Sequence, residues 1–153
     1  MLDNAELTYS SNHKKVKVSK NGKVTIAKNF IGEALITIKA KETAKYEETV
    51  KTVTVTVNPA ATSIKKLKRS GKGKATVTWK KNSKVTGYQI SYSKNAKFKK
   101  AKIKTVKKNK TTKLILKKLK KKSTYYVRIR TYKVVSGKKF YSVWSKKKSV
   151  KIK

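Results

Sequence analysis

The 153-residue chain contains no cysteine, and no aspartate or glutamate follows Glu48. The missing cysteines exclude disulfide bonds and thiolate metal sites. The missing acids leave residues 49–153 only lysine and tyrosine for acid–base chemistry, because the single histidine, His13, lies earlier in the chain. His13 does not form a metal-ligand pattern with Asp3 and Glu6. We therefore expect no enzyme activity, no cofactor and no metal site.

Long apolar segments are also missing. No run approaches the roughly 20 apolar residues that a helix needs to span a bilayer. The residues after Met1 lack the basic start and apolar stretch of a signal peptide. If the protein is exported, we expect this chain to be part of a longer one.

Positive charge is what the sequence has in excess. Lysine and arginine number 44 against six acids, which gives a formal net charge of +38. Ten of these lysines and all six acids precede Pro59, so residues 1–58 carry +4 and residues 59–153 carry +34. Such a charge attracts polyanions whatever the detailed shape of the surface. Because only three of the basic residues are arginine, the residue with the planar, bidentate fork, we expect diffuse charge recognition.

Short alternating apolar patterns predict an all-β chain, with two immunoglobulin-like β-sandwiches in tandem. In the first segment, Asn21-Gly22 predicts a type I′ hairpin turn, because both central residues of that turn need positive φ. The change of composition at Asn58-Pro59 divides the chain into a first domain (1–58), a linker (59–62) and a second domain (63–153). The strands expected in the first domain are 16–18, 24–26, 34–40 and 50–57.

The second domain shows alternating runs separated by turn residues, with a lysine-rich loop at 117–122. Its expected strands are 63–68, 74–80, 86–93, 101–107, 112–116, 124–133 and 139–152.

Four stretches of the second domain carry a family pattern. They are Val77-Thr78-Trp79, the run GYQISY at 87–92, the run LKKKSTYYVRIR at 119–130 and the run YSVWS at 141–145. As a set, they resemble a fibronectin type III domain. The third run is similar to the family's Leu-x-Pro-x-Thr-x-Tyr-x-Val-x-Val stretch, with Lys121 in place of the usual proline.

This resemblance implies roles for particular residues. Trp79 is expected in the core, and Tyr125 is expected as the corner tyrosine that packs on Leu119. Val127 and Ile129 are expected to face the core.

The first domain is similar to the later part of a bacterial immunoglobulin-like (Big-type) domain, through its Val16-Lys17-Val18 strand, its Asn21-Gly22 turn and its closing Val-Thr run. The resemblance implies that this sandwich is incomplete at its N-terminus and has an open edge, where a strand-addition partner would fit. Tandem modules of this kind resemble surface and secreted proteins of Gram-positive bacteria. The implied location is extracellular or in the cell wall, and the implied role is that of a spacer, an adhesin or an accessory module.

Three lysine clusters are the candidate binding residues. We expect them to bind an anionic polysaccharide or wall polymer, such as teichoic acid or a glycosaminoglycan. Two alternatives stay open: nonspecific nucleic-acid binding, although no reader motif is present, and a pure spacer whose lysines form only a solvated coat. The clusters are Lys94, Lys97, Lys99, Lys100, Lys102 and Lys104; then Lys117, Lys118, Lys120, Lys121 and Lys122; then Lys146, Lys147 and Lys148.

Aromatic residues add a further possibility. The alternating pattern places some of Tyr92, Tyr126, Tyr132 and Tyr141 outward, beside lysine or arginine. Exposed rings there would suit stacking against sugars or bases.

Overall fold

The computed structural model describes residues 5–153 and confirms the all-β fold. Asp3 lies outside the described residues. The chain divides into two compact units between Val57 and Asn58. No helix in the described part of the chain is long and apolar enough to cross a membrane.

The first unit has a small core. Strand β4 lies between β1 and β5 in an antiparallel sheet, and β2 pairs with β3 in a separate hairpin. Its buried apolar residues are Val16, Phe30, Ala34 and Ile36. The strands are β1 (Leu7–Ser11), β2 (Val16–Val18), β3 (Val24–Ile26), β4 (Gly32–Ala40) and β5 (Thr49–Val57).

The expected hairpin at Asn21-Gly22 forms, but its turn type differs from the prediction. Val18 pairs with Val24, so residues 19–23 form the loop. Gly22 has a φ of 78°, whereas Asn21 is not in the positive-φ region. The Gly22 N–H donates to the carbonyl of Ser19 (3.0 Å). The type I′ prediction is therefore wrong, since a single left-handed glycine after an ordinary turn closes this hairpin.

The second unit contains two sheets that enclose the larger core. One sheet has the order β10-β7-β6, and the other has the order β12-β11-β8-β9, with β13 also paired to β11. Trp79, Tyr88, Ile90, Val127 and Ile129 are almost fully buried between them. The strands are β6 (Ile64–Arg69), β7 (Ala75–Trp79), β8 (Gly87–Ser93), β9 (Lys102–Val106), β10 (Lys113–Leu116), β11 (Ser123–Val135), β12 (Lys138–Tyr141) and β13 (Lys148–Ile152).

The predicted final strand, 139–152, is interrupted in the structure. Residues 142–147 belong to neither β12 nor β13, although the N–H groups of Ser142 and Ser145 still donate to the carbonyls of Thr131 (3.1 Å) and Ile129 (2.8 Å) on β11. The reverse hydrogen bonds, from β11 N–H groups, go to two serine side chains. The Ser142 hydroxyl accepts from the Thr131 N–H (3.0 Å), and the Ser145 hydroxyl accepts from the Ile129 N–H (3.1 Å). Hydroxyls thus replace the backbone carbonyls that a continuous strand would have supplied.

Residues 59–62, the expected linker, pack against the second unit. Pro59 and Thr62 are buried. The Ala60 carbonyl accepts hydrogen bonds from Thr131 Oγ1 (2.8 Å) and Asn82 Nδ2 (3.1 Å). These bonds attach the segment to the second unit.

The corner geometry expected around Tyr125 is present. Its hydroxyl accepts from the Lys120 N–H (3.0 Å), five residues upstream. Leu119 is buried, and its N–H donates to the Gly73 carbonyl (2.9 Å). The lysine-rich loop 117–122 is therefore anchored at two points of its backbone, while its lysine side chains remain exposed.

Candidate functional site

A groove of about 1170 Å³ opens on one side of the second unit. Strands β9 and β10 flank it, and each is the outermost strand of its own sheet. Within residues 5–153, no backbone ladder joins these two edges. The groove is thus the gap between the two sheets where their edge strands diverge.

Six of the residues that line the groove are apolar or aromatic. Ile103 and Ile115 leave 51% and 43% of their surfaces exposed, because each lies on the outer face of its sheet, Ile103 opposite Ser91 and Ile115 opposite Thr76. Tyr92 and Tyr125 lie with their ring centroids 6.5 Å apart. Burial is the main cause that raises the pKa of Tyr92, and the neighbouring Tyr125 raises it further. The Tyr92 hydroxyl is therefore a neutral donor at physiological pH. The apolar lining residues are Tyr92, Ile103, Leu114, Ile115, Leu119 and Tyr125.

Lysines also line the groove. They come from two of the three clusters singled out in the sequence, 94–104 and 117–122, which the fold brings to the same groove. All of them are exposed. The lysines that line the groove are Lys94, Lys99, Lys100, Lys102, Lys104, Lys117 and Lys118.

Two of these lysines face the core side of their strand. Lys102 lies opposite Tyr92 and Lys104 lies opposite Ile90 on the neighbouring β8. Residues directly opposite each other in an antiparallel pair share a face, and both tyrosine and isoleucine are buried. The two ammonium groups therefore project over the open side of the sandwich rather than away from it.

The groove has backbone positions of high conformational energy. Lys100 (φ 50°) and Lys118 (φ 57°) both adopt left-handed conformations. Such conformations cost a non-glycine residue roughly 1–2 kcal/mol. The surrounding fold holds both turns in these conformations. The Cα–Cβ directions of the two lysines are therefore fixed.

The positive charge of the groove has no acidic side chain to neutralise it within residues 49–153. The ion pairs Lys39–Glu48 and Lys41–Glu6 (2.6 Å each) belong to the first unit. Low-dielectric walls and a single sign of charge focus the electric field into a cleft. This groove can therefore concentrate anions.

The remaining predicted lysines lie outside the groove lining. Lys97, Lys120, Lys121 and Lys122 are exposed. Lys147 donates to the Ala96 carbonyl (3.2 Å) and sits 5.6 Å from the Tyr126 ring. Lys148 donates to the Lys65 carbonyl (2.9 Å). Two members of the third cluster, 146–148, thus help to hold neighbouring segments together.

Sequence reasoning missed a stack of arginine and aromatic side chains on the second unit. Two guanidinium groups contact the Trp144 ring. The distance from the guanidinium carbon to the ring centroid is 4.6 Å for Arg128 and 4.4 Å for Arg130. The guanidinium carbon of Arg128 also lies 4.0 Å from the Phe98 ring centroid, and that of Arg130 lies 3.9 Å from the Tyr141 ring centroid. Burial lowers the pKa of both arginines, but each stays charged at any physiological pH. The only available signal was the alternation of Arg128 and Arg130 on one strand.

The tyrosines considered as stacking surfaces divide into two groups. Tyr92 and Tyr132 are buried, at 7% and 3% exposure, because each packs against other side chains of the second unit. Tyr126 and Tyr141 are half-buried beside basic side chains. Only this second pair has the exposure that the sequence suggested.

Metal ligands do not gather anywhere in residues 5–153: no group of three histidine, aspartate or glutamate side chains comes together there. His13 stacks on Phe30 (4.6 Å between ring centroids), and its Nδ1 accepts from the Lys15 N–H (3.1 Å). This histidine therefore has a local structural role.

Comparison with known proteins identifies the second unit. The model of the fibronectin type III domain matches residues 59–147. The crystal structure of the chicken CNTN1 FN1–FN3 domains is 17% identical with a TM-score of 0.54, and the match covers 99% of this chain and 57% of that one. A structure named "Myokine structure" is 16% identical with a TM-score of 0.50, and the match covers 63% of this chain and 98% of that one. These identities show the fold alone, and no curated protein matches the chain.

Proposed function

Because the chain belongs to the fibronectin type III family, whose members are in general non-catalytic structural or binding modules, we propose that it binds anionic polymers through its lysine-lined groove. Fibronectin type III domains typically occur in extracellular proteins, where linear anionic polymers are abundant. The proposed ligands are wall teichoic acid or a glycosaminoglycan, and the proposed setting is the surface of a Gram-positive bacterium.

One observation carries this proposal. Two lysine clusters that are separate in the sequence converge on one groove, in a unit without any acidic side chain. A linear polyanion lying between β9 and β10 would meet lysines from both strands and from the loops that follow them. Binding would release condensed counterions, so affinity should fall as salt rises.

The second candidate function is that of a spacer, in which the groove lysines prevent strand pairing instead of binding a ligand. Charged side chains that point inward from an edge strand discourage pairing with other strands, and Lys102 and Lys104 have this orientation. In that case the lysines would act only as a soluble coat, and every polyanion would bind alike.

The test compares heparin, a teichoic acid and duplex DNA at equal charge concentration, beginning near 0.15 M salt, where charges more than about 8 Å apart are largely screened. A groove that fits a particular polymer retains it at salt concentrations that release the other two. Release of all three at the same salt concentration would support the spacer with a nonspecific coat. Retention of DNA alone would overturn the proposed ligand class in favour of nucleic acid.

For residues 1–57, we propose an immunoglobulin-like module whose open edge accepts a partner strand. In the described residues, β5 pairs only with β4. Val50 and Val53 on this edge strand leave 54% and 44% of their surfaces exposed. Val53→Lys should weaken any association seen by sedimentation, whereas Thr8→Lys on the other edge strand, β1, should not.

A further inference from the structure

Strand β9 combines a free edge with an alternating side-chain pattern. Among the described strands it pairs only with β8, so alternate backbone N–H and C=O groups on its other side have no strand partner there. Lys102 and Lys104 share one face of the strand, and Ile103 lies on the other. The edge therefore offers backbone hydrogen bonds together with two kinds of side-chain contact.

The spacing of these side chains matches an extended peptide. Residues two apart in a strand are separated by roughly 6.5–7 Å, and their side chains point to the same face. A peptide strand added along β9 would repeat this spacing. Acidic residues at alternate positions would stand opposite Lys102 and Lys104, and the apolar residues between them would stand opposite Ile103.

We propose that the free edge of β9 accepts an extended acidic peptide in which acidic and apolar residues alternate. This partner is a protein segment recognised through its backbone, so the inference goes beyond the binding of anionic polymers. The alternation would allow the peptide to cover the exposed Ile103 while it neutralises the inward-facing lysines.

Charge decides which strands can occupy this edge. A second copy of β9 would place lysine opposite lysine, which is destabilising. A neutral strand would leave the two inward-facing ammonium groups without counter-charge beneath it. Lys117 and Lys118, on the β10 side of the groove, add positive charge along the other flank of the bound peptide.

The first part of the test compares two fluorescent peptides of equal composition, Glu-Val-Glu-Val-Glu-Val-Glu and Glu-Glu-Glu-Glu-Val-Val-Val. Fluorescence anisotropy measures the affinity of each peptide for the full chain. The buffer contains about 0.15 M salt, which screens long-range electrostatic attraction. We expect the alternating peptide to bind at least fivefold more tightly. Equal affinities would overturn the inference and leave the polymer proposal untouched, because charge alone would then explain the binding.

The second part of the test addresses the backbone. Two further peptides keep the alternating sequence but carry N-methyl groups either on all valine residues or on all glutamate residues. Only one of these sets of N–H groups faces β9 in an added strand. We expect one methylated peptide to lose binding and the other to keep it. Equal binding by both would show that no backbone ladder forms.

The third part of the test locates the site on the chain. Strand β6 carries the same Lys-apolar-Lys pattern at 66–68, but Leu67 packs against the core there and both lysines face outward. We expect Lys102→Ala/Lys104→Ala to weaken binding of the alternating peptide at least fivefold. The matched variant Lys66→Ala/Lys68→Ala should change it less than twofold. Equal losses in the two variants would contradict a site on β9.

Discussion

The Tyr125 hydroxyl anchors the backbone of the lysine-rich loop 117–122 by accepting a hydrogen bond from the Lys120 N–H (3.0 Å). Tyr125→Phe keeps the ring and removes this acceptor. We expect the free energy of unfolding to fall by about 1 kcal/mol, the usual loss for one such bond. Urea denaturation measures this change. Tyr126→Phe is the control, because the ring of Tyr126 contacts Lys147 without using its hydroxyl in that contact. An equal loss in the control would contradict the corner role.

Lys118 has a left-handed backbone conformation (φ 57°), which glycine adopts without steric cost. Lys118→Gly and Lys118→Ala remove the same charge, so their difference isolates the backbone. We expect the glycine variant to be more stable than the alanine variant by about 1 kcal/mol. Thermal or urea unfolding of the two variants provides the comparison. A more stable alanine variant would show that this turn is not strained.

Residue roles could be predicted where a motif fixes them. Trp79, Val127 and Ile129 are buried as the sequence indicated, because strand alternation and the family pattern agree at these positions. The stack around Trp144 could not be predicted in the same way. Arg128 and Phe98 are thirty positions apart, and only the folded sheet brings them to 4.0 Å.

At the scale of elements, the bridge between β12 and β13 depends on serine hydroxyls. The buried Thr131 N–H donates its hydrogen bond to Ser142 Oγ (3.0 Å). Ser142→Ala leaves this donor unpaired, so we expect a loss of about 2 kcal/mol in the free energy of unfolding. Ser149→Ala, at an exposed position in β13, should be close to neutral. A neutral Ser142→Ala would show that another group replaces the hydroxyl.

Strand positions in the second unit were predictable to within one or two residues, except for this last strand. Alternation reports which residues face the core, and that signal continues across residues 142–147 although the regular strand stops there and serine hydroxyls accept from two β11 N–H groups. A sequence pattern does not show whether a carbonyl or a hydroxyl accepts a given N–H. The same limit explains the hairpin at Asn21-Gly22, where the pattern located the turn but not its backbone conformation.

At the scale of the whole molecule, a net charge of +38 opposes folding through self-repulsion. Added NaCl shortens the Debye length from about 30 Å at 0.01 M to about 3 Å at 1 M. We therefore expect the melting temperature to rise over this range. NaCl is preferable to sulfate, which strengthens apolar burial by itself. A melting temperature that stays constant or falls would show that the lysines are spaced too widely to repel one another.

The convergence of lysines on one groove is also a property of the whole molecule. The clusters 94–104 and 117–122 were visible in the sequence, but their meeting depends on β9 and β10 being edges of opposite sheets. That arrangement comes from the strand order, which a lysine count does not contain. For the same reason, the sequence did not separate the groove lysines from Lys147 and Lys148, whose ammonium groups bond to backbone carbonyls.

The most direct test of the groove measures heparin affinity near 0.15 M salt for two variants that lose equal charge. One carries alanine at Lys100, Lys102, Lys104, Lys117 and Lys118, and the other at Lys66, Lys68, Lys80, Lys84 and Lys139. All ten lysines are exposed, and only the first set lines the groove. A binding groove predicts that the first variant binds at least tenfold more weakly than the second. Equal affinities would contradict it and leave the lysines as a uniform coat.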